Sequence, residues 1–246
     1  MTCSASLRAE RHFPLRNIHH FSGAGLVKYN VCGWNKIGTH PIFLKESIMT
    51  EKEWMEGVKE RLEQEESFSK NNIFFSTGKR VPYSFEILNY KDDEPGDRNY
   101  IKYETDLLVY QRIDNDRWKP RIFIEGKINS VTSLDAITYS QKASTHKNVH
   151  PYLRYGILLG NRKHYPLPGR LFRHGAYFDF MLSWEAFKSS ESEWKDFLKI
   201  IKSEIKYSEQ MEEILFKSRS KNRKRYIVLQ KRLYLKLKSK GLIIDN

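Results

Sequence analysis

The stretch RIFIEGKIN, residues 121–129, is mostly apolar, yet it carries Glu125 and Lys127 in its middle. Its isoleucines and Phe123 predict a strand. A period of two puts Ile122, Ile124, Gly126 and Ile128 on one face and Phe123, Glu125 and Lys127 on the other. The isoleucine face is expected to enter the core, leaving an acid and a base together on the opposite face. Upstream, Tyr103–Ile113 reads as a second strand, and the polar segment DNDRWK, residues 114–119, as the loop joining it to Pro120–Ile128 in a β-hairpin. If the hairpin is centred between Asn115 and Asp116, opposed residue numbers sum to 231. Asp106 then lies across from Glu125, with Cβ atoms roughly 4.5–5.5 Å apart. Two like charges at that spacing destabilise a sheet unless a cation sits between them. Mg²⁺ suits the position, because it is typically held by one or two carboxylates plus water and phosphate oxygens. Lys127 beside it is placed to bind a phosphate as a point charge or to orient an attacking water.

The flanking segments frame this hairpin. Thr50 and Glu53 have capping-box spacing, and Trp54, Val58 and Leu62 recur at helical intervals, so a helix is expected over residues 51–69. Tyr83–Tyr90 reads as the strand before Tyr103–Ile113, with KDDEPGD, residues 91–97, as the turn between them. After the hairpin, Thr132 or Ser133 caps a helix running to about Lys147 and stopped by the His150-Pro151 step. RYGILLGN, residues 154–161, has the unbroken apolar character of a buried strand, and FDFMLSW, residues 178–184, is a further strand. Trp194, Phe197, Leu198, Ile201 and Ile205 follow helical spacing. The order of helix, three strands, helix, strand predicts an α/β (α+β) fold: a mixed central β-sheet flanked by helices, with a helical C-terminal extension. The expected organisation is an N-terminal extension over residues 1–49, a core over 50–185, and a helical, basic region over 186–246 packed on that core.

The 246 residues are 39% hydrophobic and 30% charged, enough for a sizeable core, and no apolar run approaches the roughly 18 residues of a membrane span. The N-terminus has no secretory-signal pattern, and two cysteines, Cys3 and Cys32, cannot build a disulfide framework, so a cytoplasmic setting is expected. The spacing of those cysteines with His12, His19, His20 and His40 matches no standard zinc pattern. Of the formal charge of +13, the segment Lys217–Lys240 supplies eleven Lys or Arg with no Asp or Glu, leaving +2 for the rest. Such a block is the footprint of a polyanion such as nucleic acid, or else a solvated basic helix.

Asp106, eighteen residues, then Glu125-Gly126-Lys127, in this order of elements, resembles the PD-(D/E)XK nuclease superfamily, and within it a type II restriction endonuclease. The resemblance covers residues 50–185, with Thr105 in place of the proline that often precedes the aspartate. It implies a restriction-endonuclease-like core that cleaves double-stranded DNA with Mg²⁺. Asp106 and Glu125 would be metal ligands, Lys127 catalytic, and the Gly126 carbonyl a further ligand. A homodimer is expected, since a palindromic site is matched by a two-fold protein. The family often adds an acid from the first helix. With Trp54 at zero and 100° per residue, the apolar stripe centres near 55°, and Glu65 at 20° lies inside it, unlike Glu60 at 240° or Glu63 at 180°. A solvated Glu65 at a helix end is the alternative. Gln141 stands where several such nucleases carry a glutamine facing the site. Tyr139, Lys142 and Lys147 on the same helix are candidates for DNA contact or for plain solvation. Arg162, Lys163, Arg170 and Arg173 in the loop over residues 161–175, with Tyr165, form a basic patch suited to DNA, arginine being the usual reader of guanine edges. His164 and His174 there are read as DNA-facing or structural. Two other readings stay open: a non-catalytic nucleic-acid-binding protein using its basic C-terminal helix, and a repair, recombination or transposition nuclease of the same superfamily.

Overall fold

The computed structural model describes residues 49–163, 167–216, 228 and 233–236. In chain order its elements are α1 (Glu51–Glu63), α2 (Glu66–Ser69), β1 (Ile73–Ser76), β2 (Arg80–Ile87), β3 (Tyr90–Lys91), β4 (Glu94–Pro95), β5 (Arg98–Glu104), β6 (Leu107–Arg112), β7 (Trp118–Ile128), α3 (Ser133–Val149), β8 (Arg154–Gly160), α4 (Gly169–His174), β9 (Phe180–Ser183) and α5 (Glu191–Phe216). Five strands form one sheet in the order β1-β6-β7-β8-β9. Its first two pairings are antiparallel and its last two parallel. This is a mixed α/β fold with a mixed central sheet flanked by helices. Among the described residues no helix is long and apolar enough to cross a membrane. The N-terminal extension, its cysteines and histidines, and nearly all of the basic 217–240 segment lie outside the described residues.

β7 is central, so each of its faces is covered, and the alternation read from RIFIEGKIN sorts the two layers. Ile122 and Ile124 join Trp54, Met55 and Val58 of α1 and Trp194, Phe197 and Ile201 of α5 in one core cluster. Phe123 joins Ala136 and Ala143 of α3, Tyr155 and Ile157 of β8 and Leu171 of α4 in the other. Thus α5 shares the core of the 50–185 region rather than standing apart from it. The approach of α1 depends on two glycines. A Cβ at Gly126 would lie 2.6 Å from Met55 Cγ and Sδ, and one at Gly160 would lie 2.5 Å from Trp54 Cζ2. Neither leaves room for a side chain without moving the helix.

Three expectations need correction. The helix expected over 51–69 breaks after Glu63: Glu65 has an extended backbone, with ψ of 92°, and begins α2. The strand expected over 103–113 is two strands belonging to different sheets. β5 pairs with β2 in a separate ribbon, β6 enters the central sheet, and the chain turns between them at Thr105-Asp106. The first strand of the central sheet is therefore Ile73–Ser76, which is too short to show alternation, rather than Tyr83–Tyr90. Within the basic loop, residues 169–174 form α4, and residues 164–166, with His164 and Tyr165, lie outside the described residues.

Candidate active site

The register of the β6–β7 hairpin decides which side chains meet. Arg112 pairs with Trp118 and Tyr110 with Pro120, so the turn is centred on Asn115, half a residue earlier than expected. Between Val109 and Tyr110 the pairing shifts, and Arg121 is the extra residue on β7. Beyond it, Val109 pairs with Ile122, Leu108 with Phe123 and Leu107 with Ile124, all on the expected sum. The displaced turn and the bulge cancel, and the next step of the register sets Asp106 beside Glu125.

Asp106 leaves the ladder at that point, and its Oδ2 accepts the Gly126 N–H at 2.8 Å. The residue before it is held firmly: the Thr105 N–H and Oγ1 each donate to the Lys79 carbonyl at 3.0 Å. A proline at that position would have no N–H to give, which accounts for threonine here. Glu125 is buried, 3% exposed, and accepts from the Tyr155 hydroxyl and from Lys142 Nζ, the latter at 2.7 Å. Burial and then the adjacent Glu125 charge push the Asp106 carboxyl up to about 6, while the Gly126 N–H and Lys142 draw it partly back. Burial also raises the Tyr155 phenol well above its usual range, so it stays a neutral donor to Glu125.

Lys127, two residues along the same face, meets a different set of partners. Its Nζ is 3.1 Å from Glu51 Oε2 and 5.1 Å from the centre of the Tyr139 ring. Burial alone would lower its pKa. The Tyr139 hydroxyl and the Glu51 carboxylate outweigh burial and hold it above the ordinary lysine range, so it is a fixed cation.

The acid that α1 contributes is thus Glu51, in its first turn, and not Glu65. The break after Glu63 takes Glu65 off the helical wheel, and its Oε1 accepts the Trp194 indole N–H at 3.1 Å instead. On the wheel that selected Glu65, Glu51 falls at about 60°, nearer the centre of the stripe. On α3 the residues that close on the motif are Tyr139 and Lys142, one helical turn apart; Gln141 is exposed, about 200° round from Tyr139. Lys147, considered for DNA contact, is bound to Asp179 at 2.8 Å and to the Tyr177 carbonyl at 2.7 Å. Arg162 donates to the Asn129 carbonyl at 2.6 Å, where Asn129 (φ 64°) and Asn161 (φ 52°) end the parallel pair β7 and β8 and bond to each other. Lys163, Arg170, Arg173 and His174 are exposed.

Among the described residues no group of three or more His, Cys, Asp or Glu could hold a metal ion. The two carboxylates brought together are Asp106 and Glu125, a pair of the kind that holds Mg²⁺, which keeps several waters and takes remaining oxygens from a phosphate. Two acids brought together in a buried place, one of them with a raised pKa, are a negative charge that one ammonium, Lys142, answers and that a divalent cation would answer more fully. Comparison with protein-family models, with curated proteins and with solved structures finds no match.

Proposed function

We propose that the chain is a Mg²⁺-dependent endonuclease that hydrolyses phosphodiester bonds of double-stranded DNA on a restriction-endonuclease-like core, and that it acts sequence-specifically as a homodimer. The observation that carries this reading is the placement of Asp106 beside Glu125 across the β6–β7 ladder, with Lys127 on the same face. Asp106, Glu125 and the Gly126 carbonyl would hold the ion. Bound there, it would neutralise phosphoryl charge and make a water more acidic. Lys127, kept protonated by Glu51 and Tyr139, serves as a fixed positive charge against the scissile phosphate and not as a proton acceptor. Tyr155 holds Glu125 in place. Exposed Lys163, Arg170 and Arg173 supply phosphate or base contacts.

The test is incubation of the purified protein with phage DNA, with and without Mg²⁺, alongside Asp106→Ala, Glu125→Ala and Lys127→Ala. Discrete bands that need Mg²⁺ and vanish in the variants support the proposal. A smear would point to a non-specific nuclease, as in repair or recombination. Cutting by Lys127→Ala at the wild-type rate would sink the mechanism. A second reading, a non-catalytic nucleic-acid-binding protein, is favoured by the eleven basic residues of 217–240. It predicts DNA binding that is steeply salt-dependent and no cleavage under any metal.

A further inference from the structure

Lys142 was expected to contact DNA or solvent, yet its ammonium points inward at the acids. It lies in the middle of α3, on the face that also carries Tyr139 and His146, and its Nζ is 2.7 Å from Glu125 Oε1. Only 15% of its side chain is exposed, and its charge also acts on Asp106. Its other contacts are looser: the Glu104 carbonyl at 3.4 Å and the ring centres of Tyr103 and Tyr139 at 5.3 and 5.7 Å. Lys127, by contrast, is drawn away from the two acids by Glu51. Lys142 is thus the cation that balances the Asp106–Glu125 pair.

An ammonium within hydrogen-bond distance of Glu125 and a divalent ion held by the same carboxylate would compete for one place, and their charges would repel. The aromatic rings of Tyr103 and Tyr139 already lie within cation–π range of this ammonium and would still face it after a shift away from Glu125. We propose that Lys142 is an internal counter-charge on the Asp106–Glu125 pair and that a divalent cation binds there only by displacing it. The inference rests on the reading above that these carboxylates hold a divalent ion.

The test is calorimetric titration of the full chain with MgCl₂ in the absence of DNA, for the wild type, Lys142→Met, and Lys142→Met combined with Asp106→Asn. Lys142→Met is expected to bind Mg²⁺ roughly tenfold more tightly than the wild type, a coupling of ordinary size, and the double variant to lose that binding. Equal or weaker binding by Lys142→Met overturns the inference while leaving the metal site standing. Absence of Mg²⁺ binding in both the wild type and Lys142→Met overturns the metal site and the inference together. A second measurement needs no substitution: acylation of Lys142 by an amine reagent, read by peptide mass spectrometry on the wild type. Mg²⁺ is expected to speed this labelling severalfold, and an unchanged rate overturns the proposal even if Lys142→Met fails to fold.

Discussion

Two groups of charged side chains sit along the β7–β8 pair, one at the start of β8 and one at its middle, and they are wired differently. At the start of β8, Arg154 lies between Asp179, at 3.0 Å, and Glu204, and Lys147 binds Asp179 from the other side. Each acid there has a base in contact, and Asp179 also accepts the Tyr155 N–H at 2.7 Å. Burial raises Glu204, but Arg154 opposes the shift directly. Three residues further along the strands, roughly 10 Å away, Asp106 and Glu125 stand next to each other, and among the described residues Lys142 is the cation that acts on both. Lys127 belongs to Glu51. The first group alternates charge and reads as structural; the second sets like beside like, an arrangement that costs stability and so points to a ligand.

The largest expected effect separates the two groups by activity. Lys127→Ala is expected to lower Mg²⁺-dependent cleavage about a thousandfold, the scale of losing one fixed positive partner of the transition state, with little change in melting temperature. Arg154→Ala should do the reverse. It leaves the buried Glu204 without its base, while Asp179 keeps Lys147, costing about 3 kcal/mol. For a chain of this size that lowers Tm by about 6–12 °C in a thermal melt, with cleavage per folded molecule unchanged. If Arg154→Ala lost activity without losing stability, the contrast between the clusters would fail.

A smaller effect lies between them. His146 is fully buried behind Phe123 and Tyr155, and burial first, then the Lys142 charge, hold its imidazole down to about 3. Because the folded pKa is below the unfolded value of about 6.5, the unfolded chain takes up the proton first as pH falls. This group therefore withdraws stability below about pH 6.5, by about 1.4 kcal/mol per pH unit, until pH nears 3. His146→Phe should flatten the acid side of a denaturant-melt pH profile relative to wild type. The smallest effect separates the ends of α1. Glu51→Ala is expected to cost roughly tenfold in cleavage through the loss of orientation of Lys127. Glu65→Ala is expected to leave cleavage unchanged and to cost about 1 kcal/mol from the Trp194 hydrogen bond.

The strand RIFIEGKIN was legible because period-two alternation is a local property, and both of its faces pack as the alternation requires. The starts of the helices at Glu51 and Ser133 were legible, the first from the Thr50–Glu53 capping box and the second from Thr132 or Ser133 as a cap, of which Thr132 is the one used. Ile73–Ser76 was not, because four residues carry too little pattern. The division at Thr105 was hidden because β5 and β6 are both strands, and only tertiary pairing assigns them to different sheets. In the candidate site, the pairing of Asp106 with Glu125 from residue numbers holds because the displaced turn and the Arg121 bulge cancel, and neither shows in the sequence. Glu51, at about 60° on the helical wheel, was legible there as an inward-facing acid. The roles of Tyr155, Lys142 and Tyr139 depend on how α3 and β8 rotate against β7, which no local pattern encodes.

The bulge at Arg121 separates what the hairpin is at its tip from what it is at its base. Its guanidinium, 4% exposed, is anchored to Gln111 and Glu212, so the extra residue is locked where it lies. The turn over 114–117 can then vary in sequence, or exchange one tight geometry for another, as a free end varies beyond a clamp. A change at the tip meets this anchored residue before it meets Asp106 and Glu125.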